Sequence, residues 1–168
     1  APADRSCITS HTNWTRSGFM NVVYVDLSAK LEQWSRDSAV AASNGWSKAY
    51  LVPSIVKQRA RQTLVERHSR KTVRYRLLAI LIFVLLKDDW GKIDQVIIDR
   101  DYEGANAESA IKNMLLHLIR KRVLYAPADM IQFANVRGSK ADEFARQVLA
   151  GKARAAKQLT FDDLLPFL

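Results

Sequence analysis

One short apolar run near the middle of the chain most constrains the fold. Residues 96–98 are an unbroken β-branched segment, and the polar segment that follows them ends at Gly104. Such a run is typical of a short strand buried on both faces. Asp99 and Asp101 follow it, and a central strand that carries acids to the carboxyl edge of a sheet often places a ligand or metal site there. The alternative is that these two acids and Asp94 are turn and cap residues, which their types also favour.

The first nineteen residues differ from the rest of the chain. Residues 1–19 are rich in Ser, Thr, Asn and Pro, show no helical or alternating pattern, and contain no apolar stretch of a secretion signal. We expect Met20 to be the biological start and residues 1–19 to be a disordered or non-native leader. Residues 20–168 are expected to form a single domain, which at this length buries a core without disulfides or a structural metal.

Cysteine usage and charge narrow the function classes. Cys7 is the one cysteine, so the body from Met20 has neither a disulfide framework nor a cysteine nucleophile, which favours a cytoplasmic protein. The body carries 24 basic and 16 acidic residues. This excess predicts a polyanionic partner, with nucleic acid first and an acidic membrane surface second. The longest apolar run, residues 77–86, is about half of a bilayer span, so no membrane anchor is predicted. The oligomeric state stays open, a homodimer included.

Apolar periodicity predicts an alternation of strands and helices. Residues 21–26 form the first predicted strand, and residues 38–43 and 48–52 form a hairpin around an Asn-Gly turn. Residues 54–68 stay unassigned, because an extended start is followed by helix formers. Helical spacing predicts a core helix within residues 70–87 and a helix capped by Asn106; a strand at 130–136 and a last helix from Ser139 follow. The strand-helix-strand unit implies parallel pairing, and residues 159–168 are expected to pack back on the body.

The beginning of the core helix is strongly basic. Arg70, Lys71, Arg74 and Arg76 lie in its opening turns, where the helix dipole makes cations locally unfavourable. A solvated polar end and a set of phosphate contacts explain them equally well. Lys140, at the beginning of the last helix, is a further candidate for a nucleic-acid contact.

Two acids lie in the first turn of the last helix. Ser139 is a good N-cap, and Asp142 falls three residues later, where a capping-box acid would lie. At 100° per residue, Asp142 flanks the apolar face of this helix, whereas Glu143 points away from it. Asp142 can therefore face the sheet edge, either as a cap or as part of a site.

The order of these elements resembles the ribonuclease H-like nuclease and integrase superfamily. The resemblance rests on Val-Tyr-Val-Asp at residues 23–26, Val-Ile-Ile-Asp at residues 96–99, and Ser-Lys-Ala-Asp-Glu-Phe-Ala at residues 139–145. It implies an α/β fold with a mixed central sheet of about five strands, helices on both faces, and the element order β-β-β-α-β-α-β-α.

The resemblance also implies a chemistry. In that superfamily, carboxylates from these positions hold two divalent metals for phosphodiester cleavage, and oxygen ligands suit Mg²⁺ or Mn²⁺. It carries over to Asp26, Asp99 and Asp142 as catalytic metal ligands, with Asp101 or Glu143 as neighbours able to substitute.

One departure from the family pattern bears on activity. The family commonly adds a Glu from the first turn of its first helix, where this chain has Arg76; Glu66 could supply that acid if its segment folds back to the site. The expected function is a metal-dependent nuclease acting on RNA, RNA-DNA hybrid or structured DNA. The alternative is a non-catalytic nucleic-acid-binding or adaptor protein on the same fold. A dinucleotide-binding domain fits poorly, because no Gly-rich turn follows any predicted strand.

Overall fold

The part of the chain that the structure describes contains six strands and five α-helices. A computed structural model describes residues 20–102 and 104–168, so the predicted leader at residues 1–19 lies outside the described residues. The strands are β1 (Val22–Ser28), β2 (Ser38–Ser43), β3 (Ser47–Val52), β4 (Gln95–Asp99), β5 (Ile131–Ala134) and β6 (Lys157–Gln158). The helices are α1 (Ser54–Arg67), α2 (Val73–Leu85), α3 (Ala105–Arg120), α4 (Lys140–Leu149) and the short α5 (Phe161–Leu164).

The strands form one mixed sheet in the order β5-β4-β1-β2-β3-β6. β2 runs antiparallel to β1 and β3, whereas β4 runs parallel to β1, and β5 runs parallel to β4. The predicted α/β class, the mixed sheet, the hairpin and the parallel β4–β5 pair are thereby confirmed. β6 is a sixth strand that the sequence pattern did not predict; it has two residues and pairs with Tyr50 and Leu51 of β3.

Helices cover both faces of the sheet. The apolar helix α2 lies on one face, with α1 and α3 packed against it, and its residues 77–85 are all buried. α4 packs on the other face, across β1, β2 and β3, where Ala39, Ala41 and Ala49 meet Ala145 and Val148. These small side chains let the helix backbone come close to the sheet.

Several local predictions need correction. The unassigned residues 54–68 form α1, and α3 is preceded by Gly104 at φ 104°, so Asn106 is not its cap. β4 is fully buried on one face only: Val96 and Ile98 are buried, whereas Ile97 is half-buried. The physical reason is that α4 lies across β1, β2 and β3 and leaves this side of β4 partly open.

A buried lysine holds the loop between β1 and β2. Lys57 of α1 has no solvent exposure, and its Nζ donates to the backbone oxygen of Gln33 and to Oγ of Ser38, both at 2.9 Å. Burial lowers the pKa of Lys57 to about 8. These two hydrogen bonds hold in place the loop that carries Lys30 and Glu32, near the carboxyl end of β1.

The C-terminal tail packs back on the body of the chain, as expected, since Leu159, Leu164 and Leu168 within residues 159–168 are buried. Across residues 20–102 and 104–168, no helix has the length and apolar character needed to cross a bilayer.

Candidate metal centre

Three carboxylates converge at one edge of the sheet. Asp26, Asp99 and Asp101 each place an oxygen so that all three atoms lie within 4.8 Å of one another. Asp26 is buried, and the other two are partly exposed. They border an open cleft of about 480 Å³ that Asp142 also lines. The cleft thus presents four acids, of which three could share one ion.

The strand register explains why these acids meet. Side chains alternate along a strand, so Asp26 and Asp99 project from the face opposite to their buried neighbours Val25 and Ile98. β1 and β4 are parallel, and Val25 is paired with Ile98, which puts the two aspartates side by side one residue later. Asp101 follows in the loop that leaves β4. Adjacent parallel strands therefore deliver both acids to the same face and the same edge.

The pKa of the Asp26 carboxyl is strongly raised. Burial raises the pKa of Asp26 to about 7, and the charges of Asp101 and Asp99 add to this effect. The backbone N–H of Leu27, which donates to Asp26 Oδ1 at 2.7 Å, opposes it. Asp26 also shares a hydrogen bond with Asp142 that favours a proton on Asp26.

Asp99 and Asp101 form the second close pair. Asp99 Oδ1 accepts a hydrogen bond from the backbone N–H of Val136 at 2.8 Å, which ties the end of β4 to the loop after β5. Burial raises the pKa of Asp101 to about 7, and the charge of Asp99 and a hydrogen bond with it raise the pKa further, whereas Lys30 lowers it. Acids packed this closely gain from a bound cation, because a cation relieves their mutual repulsion.

Asp142 is connected to the cluster from the last helix. Ser139 caps α4 as predicted, accepting a hydrogen bond from the Asp142 backbone N–H at 3.2 Å. Burial disfavours the Asp142 anion, but the Gly138 N–H, the hydrogen bond from Asp26 and the Arg146 guanidinium outweigh it and lower the pKa of Asp142. Asp142 lies outside the group of three that share the 4.8 Å spacing. It is an ionised neighbour that holds Asp26 in place.

Cations that sequence reasoning missed surround the acids. Arg100, Arg137 and Arg146 line the cleft together with the four aspartates. Arg146 Nε lies 3.2 Å from Asp142 Oδ1, an i, i+4 pair on α4, and its spacing was readable from the sequence. Arg100 Nε lies 3.1 Å from Glu108 Oε1. No sequence signal indicated Arg137, because loop geometry alone brings it here.

The structure keeps the other candidate acids and cations away from the cluster. Glu143 is exposed and accepts from Gln147, as its predicted direction requires. Glu66 is exposed on α1 and borders a separate surface hollow with Arg61 and Arg70, so it does not supply the missing acid. Lys140 is exposed and does not line the cleft.

The α2 side of the cluster is apolar. Leu78 and Ile82, with Val25, Leu27 and Ile98, enclose the small space beneath Asp26, Asp99 and Asp101. The helix residues bordering the acids are thus Leu78 and Ile82, whereas Arg76 turns toward α3, where its Nη1 lies 3.7 Å from the Met114 sulfur.

Comparison with protein-family models, with curated proteins and with solved structures found no match to this chain.

Proposed function

We propose that this protein is a metal-dependent nuclease that hydrolyses phosphodiester bonds in RNA, RNA-DNA hybrid or structured DNA. The observation that carries the proposal is the convergence of Asp26, Asp99 and Asp101 within 4.8 Å. We further propose a ribonuclease H-like fold. It is supported by acids at the ends of β1 and β4 and in the first turn of α4, the three places that the sequence resemblance implies.

The donor set fits a hard divalent cation. Three carboxylates offer only oxygen ligands, which suit Mg²⁺ or Mn²⁺, and the body of the chain has no thiolate that would favour a softer metal. Partial burial and the neighbouring acids raise the pKa values of Asp26 and Asp101. A divalent ion would compensate the negative charge that gathers here, so Asp26, Asp99 and Asp101 are the residues proposed to hold it.

Side chains and backbone groups around the cluster would position the phosphate and the metal-binding carboxylates. Bound divalent ions would activate the attacking water and stabilise the leaving oxygen of the phosphodiester. Arg100, Arg137 and Arg146 border the same cleft and attract a phosphate to it by charge. Asp142 holds Asp26 through their hydrogen bond, and the Val136 N–H holds Asp99. In the reaction, the water oxygen would form a bond to phosphorus and lose a proton to the solvent, while the bond from phosphorus to one ester oxygen breaks and that oxygen takes up a proton.

Cleavage assays with paired variants test the proposal. Labelled RNA, RNA-DNA hybrid and branched DNA are incubated with the full chain in Mg²⁺, in Mn²⁺ and in EDTA. We expect cleavage with either metal and none in EDTA. Asp99→Asn should lower the rate by at least about a hundredfold, since metal-assisted charge stabilisation contributes several kcal/mol. Glu143→Gln is the matched control: it removes an exposed acid next to Asp142 and should leave the rate within about twofold.

Two results would reject the proposal. One is an absence of metal-dependent cleavage on all three substrates by correctly folded wild-type protein. The other is equal cleavage by the wild type and Asp99→Asn. A calorimetric titration with Mn²⁺ gives an independent reading, because binding should be lost in Asp99→Asn and kept in Glu143→Gln.

A non-catalytic nucleic-acid-binding protein on the same fold is the second candidate. The observation that favours it is that α2 places two apolar side chains, Leu78 and Ile82, beside the acids, where the family pattern adds a Glu. In that case salt-dependent binding is retained, metal-dependent cleavage is absent, and Asp26→Asn with Asp99→Asn leaves binding unchanged.

A further inference from the structure

A second concave surface lies beside the acid cluster and is lined by cations. It encloses about 610 Å³ between α1, the beginning of α2 and the beginning of α3. The residues that define this basic groove are Glu32, Trp34, Arg61, Val65, Arg70, Lys71, Thr72, Val73, Arg74, Tyr75, Asn106 and Ala110. Its volume is in the range of small-ligand sites. It can therefore admit a few units of an extended chain.

The charge of the groove favours an anion. Arg61, Arg70, Lys71 and Arg74 face a single acid, Glu32, among its lining residues. Arg61, Arg70 and Lys71 are exposed. α2 has no acid in its first turn and no side-chain cap at its N-terminus, so the dipole there repels these cations as well. A bound anion would relieve this repulsion.

Aromatic rings lie among the cations. The Arg61 guanidinium carbon is 5.0 Å from the centre of the Trp34 ring, and the Arg74 guanidinium carbon is 4.9 Å from the Tyr75 ring. Trp34 and Tyr75 are both partly exposed. Cations that follow a phosphate backbone, combined with aromatic rings on which bases stack, are typical of single-strand nucleic-acid binding.

The basic groove adjoins the acid cluster through Tyr102 and Glu32. Tyr102 follows Asp101 in the chain, donates a hydrogen bond to Glu32 Oε2 at 2.8 Å, and lies under Arg74, whose guanidinium carbon is 5.6 Å from its ring centre. Glu32 lines the groove and also raises the pKa of Asp101. Asp101, Tyr102 and Glu32 therefore connect the cluster to the wall of the groove.

We infer that the basic groove binds the phosphate backbone of an unpaired nucleic-acid strand continuing from the acid cluster. This inference rests on the proposed function for its substrate class. It predicts that the protein acts where a single strand emerges from, or lies next to, the bond at the cluster. Arg70 and Lys71 are adjacent, exposed cations of the groove and are the backbone contacts chosen for the test.

Binding measured without cleavage tests the groove separately from the reaction. Fluorescence anisotropy in EDTA is followed with labelled single-stranded DNA, single-stranded RNA of the same sequence, and a blunt duplex. The groove variant is Arg70→Ala with Lys71→Ala. The control is Lys121→Ala with Arg122→Ala, which removes the same two residue types from the opposite end of α3, about 20 Å further along that helix. Both cation pairs are exposed, and circular dichroism checks the fold.

We expect the groove variant to bind single strands at least about tenfold more weakly than the wild type. Its plot of log affinity against log salt should be shallower by about 1.4, the value for two lost phosphate contacts on a single strand. The control should stay within about twofold, and the wild type should prefer the single strands to the blunt duplex. The DNA and RNA arms show which strand chemistry the groove favours.

Equal weakening by the two variants, an unchanged groove variant, or a wild type that binds no single strand would each overturn the inference. The two proposals fail separately. Groove-dependent binding without cleavage in Mg²⁺ or Mn²⁺ rejects the proposed nuclease activity and retains strand binding by the groove. Cleavage with no effect of the groove variant on binding rejects strand binding by the groove and retains the nuclease activity.

Discussion

Asp26→Asn should make the metal-free protein more stable at pH 8. Burial and neighbouring acids raise the pKa of Asp26 from 3.8 to about 7. In the folded state the carboxyl therefore binds a proton more tightly than in the unfolded state. Above pH 7 it is ionised in both states, and the folded state has the full cost of that buried charge. Below about pH 4 it is protonated in both states, and the cost is absent.

The shift sets an upper limit on the effect. About three pKa units at 1.36 kcal/mol each correspond to about 4 kcal/mol, and Asp101 and Asp142 share part of it because the acids titrate together. Asparagine keeps an oxygen for the Leu27 N–H and adds a donor for Asp142, so it removes the charge without removing either contact. We expect a gain of about 2–4 kcal/mol at pH 8, which shrinks toward zero as the pH falls toward 4.

Urea denaturation followed by tryptophan fluorescence, in EDTA at pH 4.5 and pH 8, measures the difference. Glu143→Gln is the control and should show no pH-dependent gain. Adding Mn²⁺ at a hundred times its dissociation constant should stabilise the wild type by about 2.7 kcal/mol and the Asp26→Asn variant by less. An equal difference at both pH values, or a variant less stable than the wild type at pH 8, would refute the reasoning.

Two further substitutions test parts of the fold. Lys57→Met removes the buried ammonium. The pKa of Lys57 is about 8 in the folded state and 10.5 in the unfolded state, so between these pH values the unfolded state binds more protons. Wild-type stability should then rise relative to the variant by up to about 3 kcal/mol from pH 8 to 10.5, as measured by urea titration. Ser139→Ala removes the α4 cap and should cost about 1 kcal/mol by thermal or urea unfolding, with Ser35→Ala, an exposed serine in the loop between β1 and β2, unchanged.

The strand pattern of the sequence was enough to predict the part of the acid cluster that lies on strands. An apolar run followed by Asp identifies Asp26 and Asp99, because local sequence determines the two strands; β4 ends at Asp99 as predicted, whereas β1 continues past Asp26 to Ser28. The pairing of parallel β1 and β4 then brings them together. Asp101 joins the group of three through the loop after β4, whereas Asp142 accepts hydrogen bonds from Gly138 and Arg146; strand periodicity describes neither arrangement.

Other features depend on contacts between distant residues, which periodicity does not describe. Lys57 looks like a surface cation in a helix, yet it is buried because its ammonium reaches Gln33 and Ser38 in another segment. β6 is too short for any pattern and exists because β3 offers an open edge. Arg76 illustrates the same limit: its position along α2 was known, but the rotation of α2 that turns Leu78 toward the acids was not.

The pairing of β1 on both of its edges makes the site sensitive to changes in chain length. Asp26 is matched to Ala41 of β2, and the preceding Val25 is matched to Ile98 of β4. Deleting one residue between Val22 and Val25 would slide the strand and turn Asp26 into the apolar face under α2. We therefore expect an insertion or deletion within β1 or β4 to disrupt the site, even at positions where a substitution is tolerated.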